Sequence, residues 1–195
     1  FLPEEISKYT EDHTSPESEI LAQLNRETWS KKVQPRMLSG HIQSRVLSML
    51  SHMIQPKRIL EIGTFTSYSA LCLAEGLSED GKLTTIDVNE EFQEIIERYI
   101  KASGYQNKIE LLIGDASEII PKMDDELDLV FIDANKENYS NYFDLIIDKL
   151  RSGGFIIADN VLWSGKVIDE KCDAETQALK DYNIKILEDE RVENA

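Results

Sequence analysis

From Arg58 onward the chain alternates short apolar runs with stretches whose apolar residues recur every three or four positions, and few folds accept that pattern. Residues 58–62, 82–86, 108–113, 127–132 and 155–158 read as strands. Residues 89–103 read as a helix with Phe92, Ile95, Ile96 and Tyr99 inward and Gly104 as its stop, and 139–150 read as another. Residues 119–122 make a short turn or helix, and Asp173 caps a last helix through Leu179, Tyr182 and Ile186. Alternation at this spacing predicts an α/β fold, a doubly wound, mostly parallel sheet with helices on both faces, its five strands apolar enough to be central. Ahead of it, residues 1–56 read as a helical arm. Ser15 and Pro16 open a helix with Ile20, Leu21, Leu24 and Thr28 on one face, and Ile42, Val46, Leu47, Leu50 and Met53 form a second stripe ended by Gln55-Pro56. The stretch 31–40, with Pro35 and Gly40, is the irregular connection. At 195 residues, 1–195 reads as one domain, arm plus an α/β core over 57–195.

The first strand ends in a turn that narrows the ligand. Gly63 to Thr66 separate the strand from a helix with Ser67 as its cap that carries Leu71, Leu73 and Ala74. A strand, a small-residue loop and a helix start form the usual nucleotide site of such sheets. A dinucleotide loop needs three glycines for backbone to approach a pyrophosphate. Here Gly63 is the lone glycine and the acidic Glu61 stands two residues before it. That loop suits a ligand without phosphates, and S-adenosylmethionine fits, with its adenosine, its sulfonium and an ammonium that can meet carboxylates.

Ligands of an open sheet sit beyond the carboxyl ends of its strands, and this chain has an acid at nearly every one. Glu61, Asp87, Asp115, Asp133 and Asp159 form that series, a negative field that a cationic ligand and a divalent metal relieve. Asp87, 24 residues past Gly63, has the position from which a carboxylate holds ribose hydroxyls. With the fourth and fifth strands adjacent, Asp133 faces Asp159-Asn160 across about 5 Å. Three oxygen donors without thiolate or imidazole select Mg²⁺ or another hard divalent cation over zinc.

Charge and cysteine usage exclude other classes. The net charge of -16 argues against a protein that binds nucleic-acid backbone, since such proteins present a basic surface. Two cysteines, Cys72 and Cys172, form no close pair, and His13, His41 and His52 no cluster, so a reduced cytoplasmic protein is expected. No apolar run reaches the ~18 residues of a membrane span.

At Asp133-Ala-Asn-Lys136, with Leu60-Glu-Ile-Gly-Thr-Phe-Thr66 and Asp159-Asn-Val-Leu-Trp-Ser-Gly165, the sequence resembles the metal-dependent class I O-methyltransferases typified by catechol and caffeoyl-coenzyme A O-methyltransferases, small bacterial relatives included. The likeness runs from about Glu19 to the end. It implies the Rossmann-like methyltransferase fold and S-adenosylmethionine as donor, bound at Ser39, Glu61, Gly63, Phe65, Ser69, Asp87, Asp115, Ala116 and Asp133. It also implies Asp133, Asp159 and Asn160 as metal ligands, Lys136 as the catalytic lysine and Trp163 as part of the acceptor wall. Two departures stand out. Ser67 occupies a loop position where the family usually has glycine. The family's closing strand, Gly-Asp-Gly type turn and antiparallel final strand are absent after Glu188, so the sheet reads as missing its C-terminal strands, although another strand could begin at Val192.

The acceptor expected from the resemblance is a small catechol-like or hydroxylated aromatic molecule, and the assembly a homodimer. An alternative keeps the chemistry on a hydroxyuridine of transfer RNA, which the acidity disfavours and the basic Lys31, Lys32 and Arg36 favour. A non-catalytic nucleotide-binding module is the remaining alternative, and it has no need of Lys136 or three oxygen ligands.

Overall fold

The structure, a computed structural model, describes residues 3–195. Five parallel strands, β1 (Arg58–Ile62), β2 (Lys82–Asp87), β3 (Ile109–Ile113), β4 (Leu127–Ile132) and β5 (Leu150–Ala158), lie in the order β3-β2-β1-β4-β5. The order reverses between β1 and β4, and at such a switch point the connecting loops diverge and leave a crevice. Side chains alternate across the sheet. Ile59, Leu129 and Phe131 face a core with Leu24, Leu47, Leu73 and Ile96. Leu60, Ile62, Val130 and Ile132 face another with Phe143 and Leu179. These cores lie under α2 (Glu19–Lys31), α3 (His41–Ile54), α4 (Tyr68–Ala74) and α5 (Gln93–Ala102) on one face, and under α6 (Ala116–Ile119), α7 (Tyr139–Ile146) and α8 (Ala174–Glu188) on the other.

Several expectations need correction. β3 and β5 are edge strands, and Phe155 of β5 is 52% exposed. β5 starts five residues earlier than read, because a register irregularity opposite Leu127–Leu129 carries Gly153 at φ 73. Ser18, not Ser15, caps α2, its Oγ accepting from Leu21 N at 3.3 Å, and Pro16 lies outside the helix. A further helix, α1 (Glu4–Asp12), opens the arm and buries no residue. Residues 189–195 form no strand. Asp173 does cap α8, accepting from Thr176 N at 2.8 Å.

The largest reversal is α3. Of its expected stripe only Leu47 is fully buried; Ile42 and Leu50 are half-buried and Val46 and Met53 are 45% and 74% exposed, beside an outward Met49, while Ser44, Ser48 and Ser51 are buried next to Leu47. Small residues let α3 press against α4: Ser51 Oγ donates to Leu73 O at 2.6 Å and Ser48 Oγ to Glu75 at 2.5 Å. A Cβ on Gly76 would lie 2.2 Å from the Ser51 carbonyl carbon. Close approach and the two satisfied hydroxyls of Ser48 and Ser51 outweigh the hydropathy of the other face and the unpartnered hydroxyl of Ser44.

The arm is clamped to the core by Glu27 of α2, which accepts from Arg98 Nη2 at 2.7 Å and from the Tyr99 hydroxyl at 2.8 Å. Arg98 and Lys31 hold this carboxylate well below the usual range.

Candidate functional site

The crevice is built from the loop after β1. Gly63 has φ 99 and donates its N–H to Ile86 O at 2.9 Å. Phe65 (φ 51) and Ser67 (φ 73) also take the left-handed conformation, which non-glycine residues seldom adopt. Asp87 at the end of β2 holds this loop: its Oδ2 accepts from Thr64 N at 3.1 Å and Phe65 N at 2.7 Å, and its Oδ1 from Asn89 N at 2.8 Å. The acid read as a ribose ligand is therefore also the anchor of the loop. Phe65 meets Phe92 edge to face at 5.0 Å, and Lys32 lies over the Phe92 ring.

Beneath the loop lies Glu61, on the same strand face as Ile59 and fully buried. Its Oε2 accepts from the Thr85 hydroxyl at 2.5 Å, which also meets the Thr64 hydroxyl at 2.5 Å. Its Oε1 has no protein partner. Burial pushes this carboxyl up to about 8, with Asp133 and Asp87 adding to the shift. A buried acid with one orphaned oxygen invites a cationic hydrogen-bond donor.

Across the switch point, Asp133 N donates to Ile62 O and Asp159 N to Ile132 O, both at 2.9 Å, which brings the ends of β4 and β5 side by side. Burial raises the Asp133 carboxyl above its usual range, and the facing Asp159 carboxylate raises it further. Asn160 stands at φ 61 and its Nδ2 donates to Asp159 Oδ2. Among the described residues no three of His, Cys, Asp and Glu are grouped as metal ligands. Two opposed carboxylates and the neighbouring Asn160 carbonyl oxygen still make an all-oxygen set that fits a hard divalent cation, since a cation relieves the like-charge contact.

Lys136 is 6% exposed. Its Nζ donates to the Tyr139 hydroxyl at 2.5 Å, to Asp133 Oδ1 at 3.3 Å and to Asp159 O at 3.4 Å. Trp163 follows at φ 44, half-buried, with Lys136 Nζ 5.7 Å and Lys166 Nζ 5.6 Å from its ring centre. The structure thus brings Lys136, Asp133, Asp159, Asn160 and Trp163 together, and gathers Glu61, Gly63, Phe65 and Asp87 around the loop. Ser69 is buried in the first turn of α4 and Ala116 at the start of α6. Asp115 is exposed and caps α6, accepting from Ser117 N at 2.8 Å.

Ser39 lies half-buried between the turn Pro35–Met37 and α3. Beside it a cavity of about 670 Å³ is lined by Trp29, Arg36, Leu38, Gly40 and His41 among others. Ser67 corrects one expectation, because its side chain caps nothing and its buried Oγ has no partner. The basic cluster is also largely engaged: Lys31 pairs with Glu27 at 3.0 Å and Lys32 lies over Phe92. Sequence reasoning missed Thr85, Thr64 and Tyr139. Only Tyr139 carried a signal, since it stands three residues after Lys136 at a helix start, a spacing that puts side chains together.

The sequence profile of the O-methyltransferase family matches residues 11–195. Caffeoyl-CoA O-methyltransferase 2 of Petunia hybrida is 38% identical over 149 residues, 73% of this chain and 62% of the relative. The corresponding enzyme of Stellaria longipes is 33% identical over 157 residues, 77% of this chain and 65% of the relative. The chain thus spans less than two thirds of these relatives. Among solved structures, the O-methyltransferase TomG of Streptomyces achromogenes, in complex with S-adenosylmethionine, superposes with a TM-score of 0.88 at 30% identity, covering 94% of this chain and 84% of that one. An O-methyltransferase of Bacillus cereus, in complex with S-adenosylhomocysteine (SAH), gives 0.89 at 27% identity, covering 95% and 86%.

Proposed function

The chain belongs to the O-methyltransferase family, and on that premise we propose that it is an S-adenosylmethionine-dependent, divalent-metal-dependent enzyme that methylates a hydroxyl of a small catechol-like or hydroxylated aromatic acceptor. The observation that carries this reading is the meeting of Lys136 Nζ with Asp133 at the end of β4 and with the Asp159 carbonyl at the end of β5, across from the Gly63–Ser69 loop. A module that only bound a nucleotide would have no use for a buried amine beside two opposed carboxylates.

The donor brings an activated methyl group on a sulfonium. Asp87 takes the ribose hydroxyls, and Glu61 and Asp133 face the ammonium of the amino-acid tail. Ser39, Gly63, Phe65, Ser69 and the Asp115-Ala116 pair complete the donor site as the family resemblance assigns it. Asp133, Asp159 and Asn160 would hold Mg²⁺, which supplies positive charge that makes an adjacent acceptor hydroxyl more acidic. Lys136 takes the hydroxyl proton at Nζ, and the resulting oxygen displaces the thioether from the methyl carbon. Trp163 and the loop around it cover the acceptor and exclude water.

Assembly as a homodimer accompanies this proposal, and the exposed Val46, Met49 and Met53 on α3 are the surface that supports it. Met49→Glu is expected to yield a monomer by sedimentation. The described residues contain no helix long and apolar enough to cross a membrane, and the reduced cytoplasmic setting remains part of the proposal.

The deciding experiment is methyl transfer from labelled donor to a panel of catechols and hydroxylated aromatics, run beside hydroxylated and unmodified transfer RNA, with Mg²⁺ and with excess chelator. Mg²⁺-dependent labelling of a catechol is expected. Labelling confined to transfer RNA would move the acceptor to the alternative reading, full activity in chelator would remove the metal, and SAH binding without any transfer would leave a binding module.

A further inference from the structure

Three acceptors surround Lys136 Nζ, and they differ in kind. Asp133 Oδ1 belongs to a candidate metal ligand and Asp159 O to the main chain of another, at 3.3 and 3.4 Å. The third and nearest is the hydroxyl of Tyr139, at 2.5 Å, on a side chain that is fully buried and has no place in the donor or metal set. That hydroxyl is itself fixed, because it lies 3.2 Å from Ile132 O and 3.1 Å from Asp159 O, so its one proton goes to a carbonyl and its lone pair receives the lysine. The ring is held as well, edge to face against Tyr182 of α8 at 5.5 Å, with the amine 4.6 Å from its centre.

A lysine stem has four rotatable bonds, so without a rigid partner the amine samples several positions. Burial holds Tyr139 as a neutral phenol well above the ordinary tyrosine range, which leaves it a hydrogen-bond partner rather than a charge. We propose that Tyr139 is the positioning residue for Lys136: its hydroxyl, braced by the carbonyls at the ends of β4 and β5 and by Tyr182, sets the amine where the acceptor's proton is taken. The inference rests on the functional reading above, in which Lys136 is the base.

The test is a double-mutant cycle on turnover of a catechol acceptor, with Lys136→Met, Tyr139→Phe and the double variant, alongside calorimetric binding of SAH. Tyr139→Phe keeps the ring and its packing and removes the oxygen. The expected result is a roughly 10–100-fold loss of kcat in the Lys136 background, the cost of misplacing a reacting group by about 1 Å. SAH affinity should change by less than about 3-fold, and Tyr139→Phe should add no loss once Lys136 is methionine. An unchanged kcat, or the same loss in both backgrounds, would overturn the inference and leave Tyr139 a packing residue. A parent chain that methylates nothing on the panel overturns the functional reading itself, and the inference with it. Should Tyr139→Phe not fold, Tyr182→Leu, which removes the brace of the Tyr139 ring, takes its place in the cycle, with kcat expected to fall in the Lys136 background and not in the Lys136→Met background; an equal effect in both would overturn the inference.

Discussion

Gly63 passes so close to Asp133 that a Cβ on the glycine would stand 2.0 Å from the Asp133 carbonyl oxygen. The contact welds the loop after β1 to the end of β4 across the switch point, so one glycine sets the spacing between the two halves of the site. Gly63→Ala meets a backbone atom, which cannot rotate away, at a φ of 99. A loss of at least about 2 kcal/mol is expected, roughly 4–8 °C in Tm, together with loss of SAH binding. Thermal unfolding and calorimetry measure both, and a variant that melts and binds like the parent would show that the loop can move aside.

On the proposed reading Asp87 holds both the loop and the donor's ribose, and its removal should register in both. Asp87→Ala is expected to weaken SAH by about 1.5–3 kcal/mol, the scale of hydrogen bonds to a charged group. It should also speed hydrogen exchange at the Thr64 and Phe65 amides, which now donate to Oδ2. Unchanged affinity with faster exchange would make Asp87 a loop anchor and nothing more.

On the proposed reading Glu61 links donor binding to pH. Its folded value of about 8 lies above the roughly 4.3 of an unfolded glutamate, so between these values the folded state holds a proton that the unfolded state has lost. Its contribution is fully present below about pH 4 and is lost as pH rises through about 8. A bound ammonium favours the carboxylate, so SAH binding at pH 7 should release a proton. Calorimetry in buffers of different ionisation enthalpy reads that proton directly, and Glu61→Gln should abolish it. Identical release from that variant would place the titrating group elsewhere.

Lys136→Met preserves length and packing and removes the amine. SAH affinity should persist while kcat falls on the order of 10²–10⁴-fold on an unactivated catechol. The loss should shrink for a nitrocatechol, whose hydroxyl ionises without help. Rates across a series of acceptor pKa values provide the measurement, and a parent-like rate on plain catechol would remove Lys136 from the chemistry.

How much of this was legible beforehand follows from the range of each interaction. Strand and helix periods, the acids ending strands, the cap at Asp173 and the motifs around Gly63, Asp133 and Asp159 are local in sequence, and local patterns determined the sheet, its parallel sense and the candidate residues. The buried face of α3 was not local. Both of its faces could pack, and the choice went to the face of Ser48 and Ser51 because the Leu73 carbonyl and the Glu75 carboxylate stand at contact distance from them, which no period in α3 encodes. The same holds inside the site. Sequence alone named Glu61, Asp87 and Lys136, but only the tertiary structure decided that Glu61 lies beneath the loop, that Asp87 holds that loop by two backbone amides, and that Lys136 rests on Tyr139. Burial, orphaned oxygens and the partner of a flexible amine depend on which distant segments close over them, and that is settled when the two cores pack against the sheet.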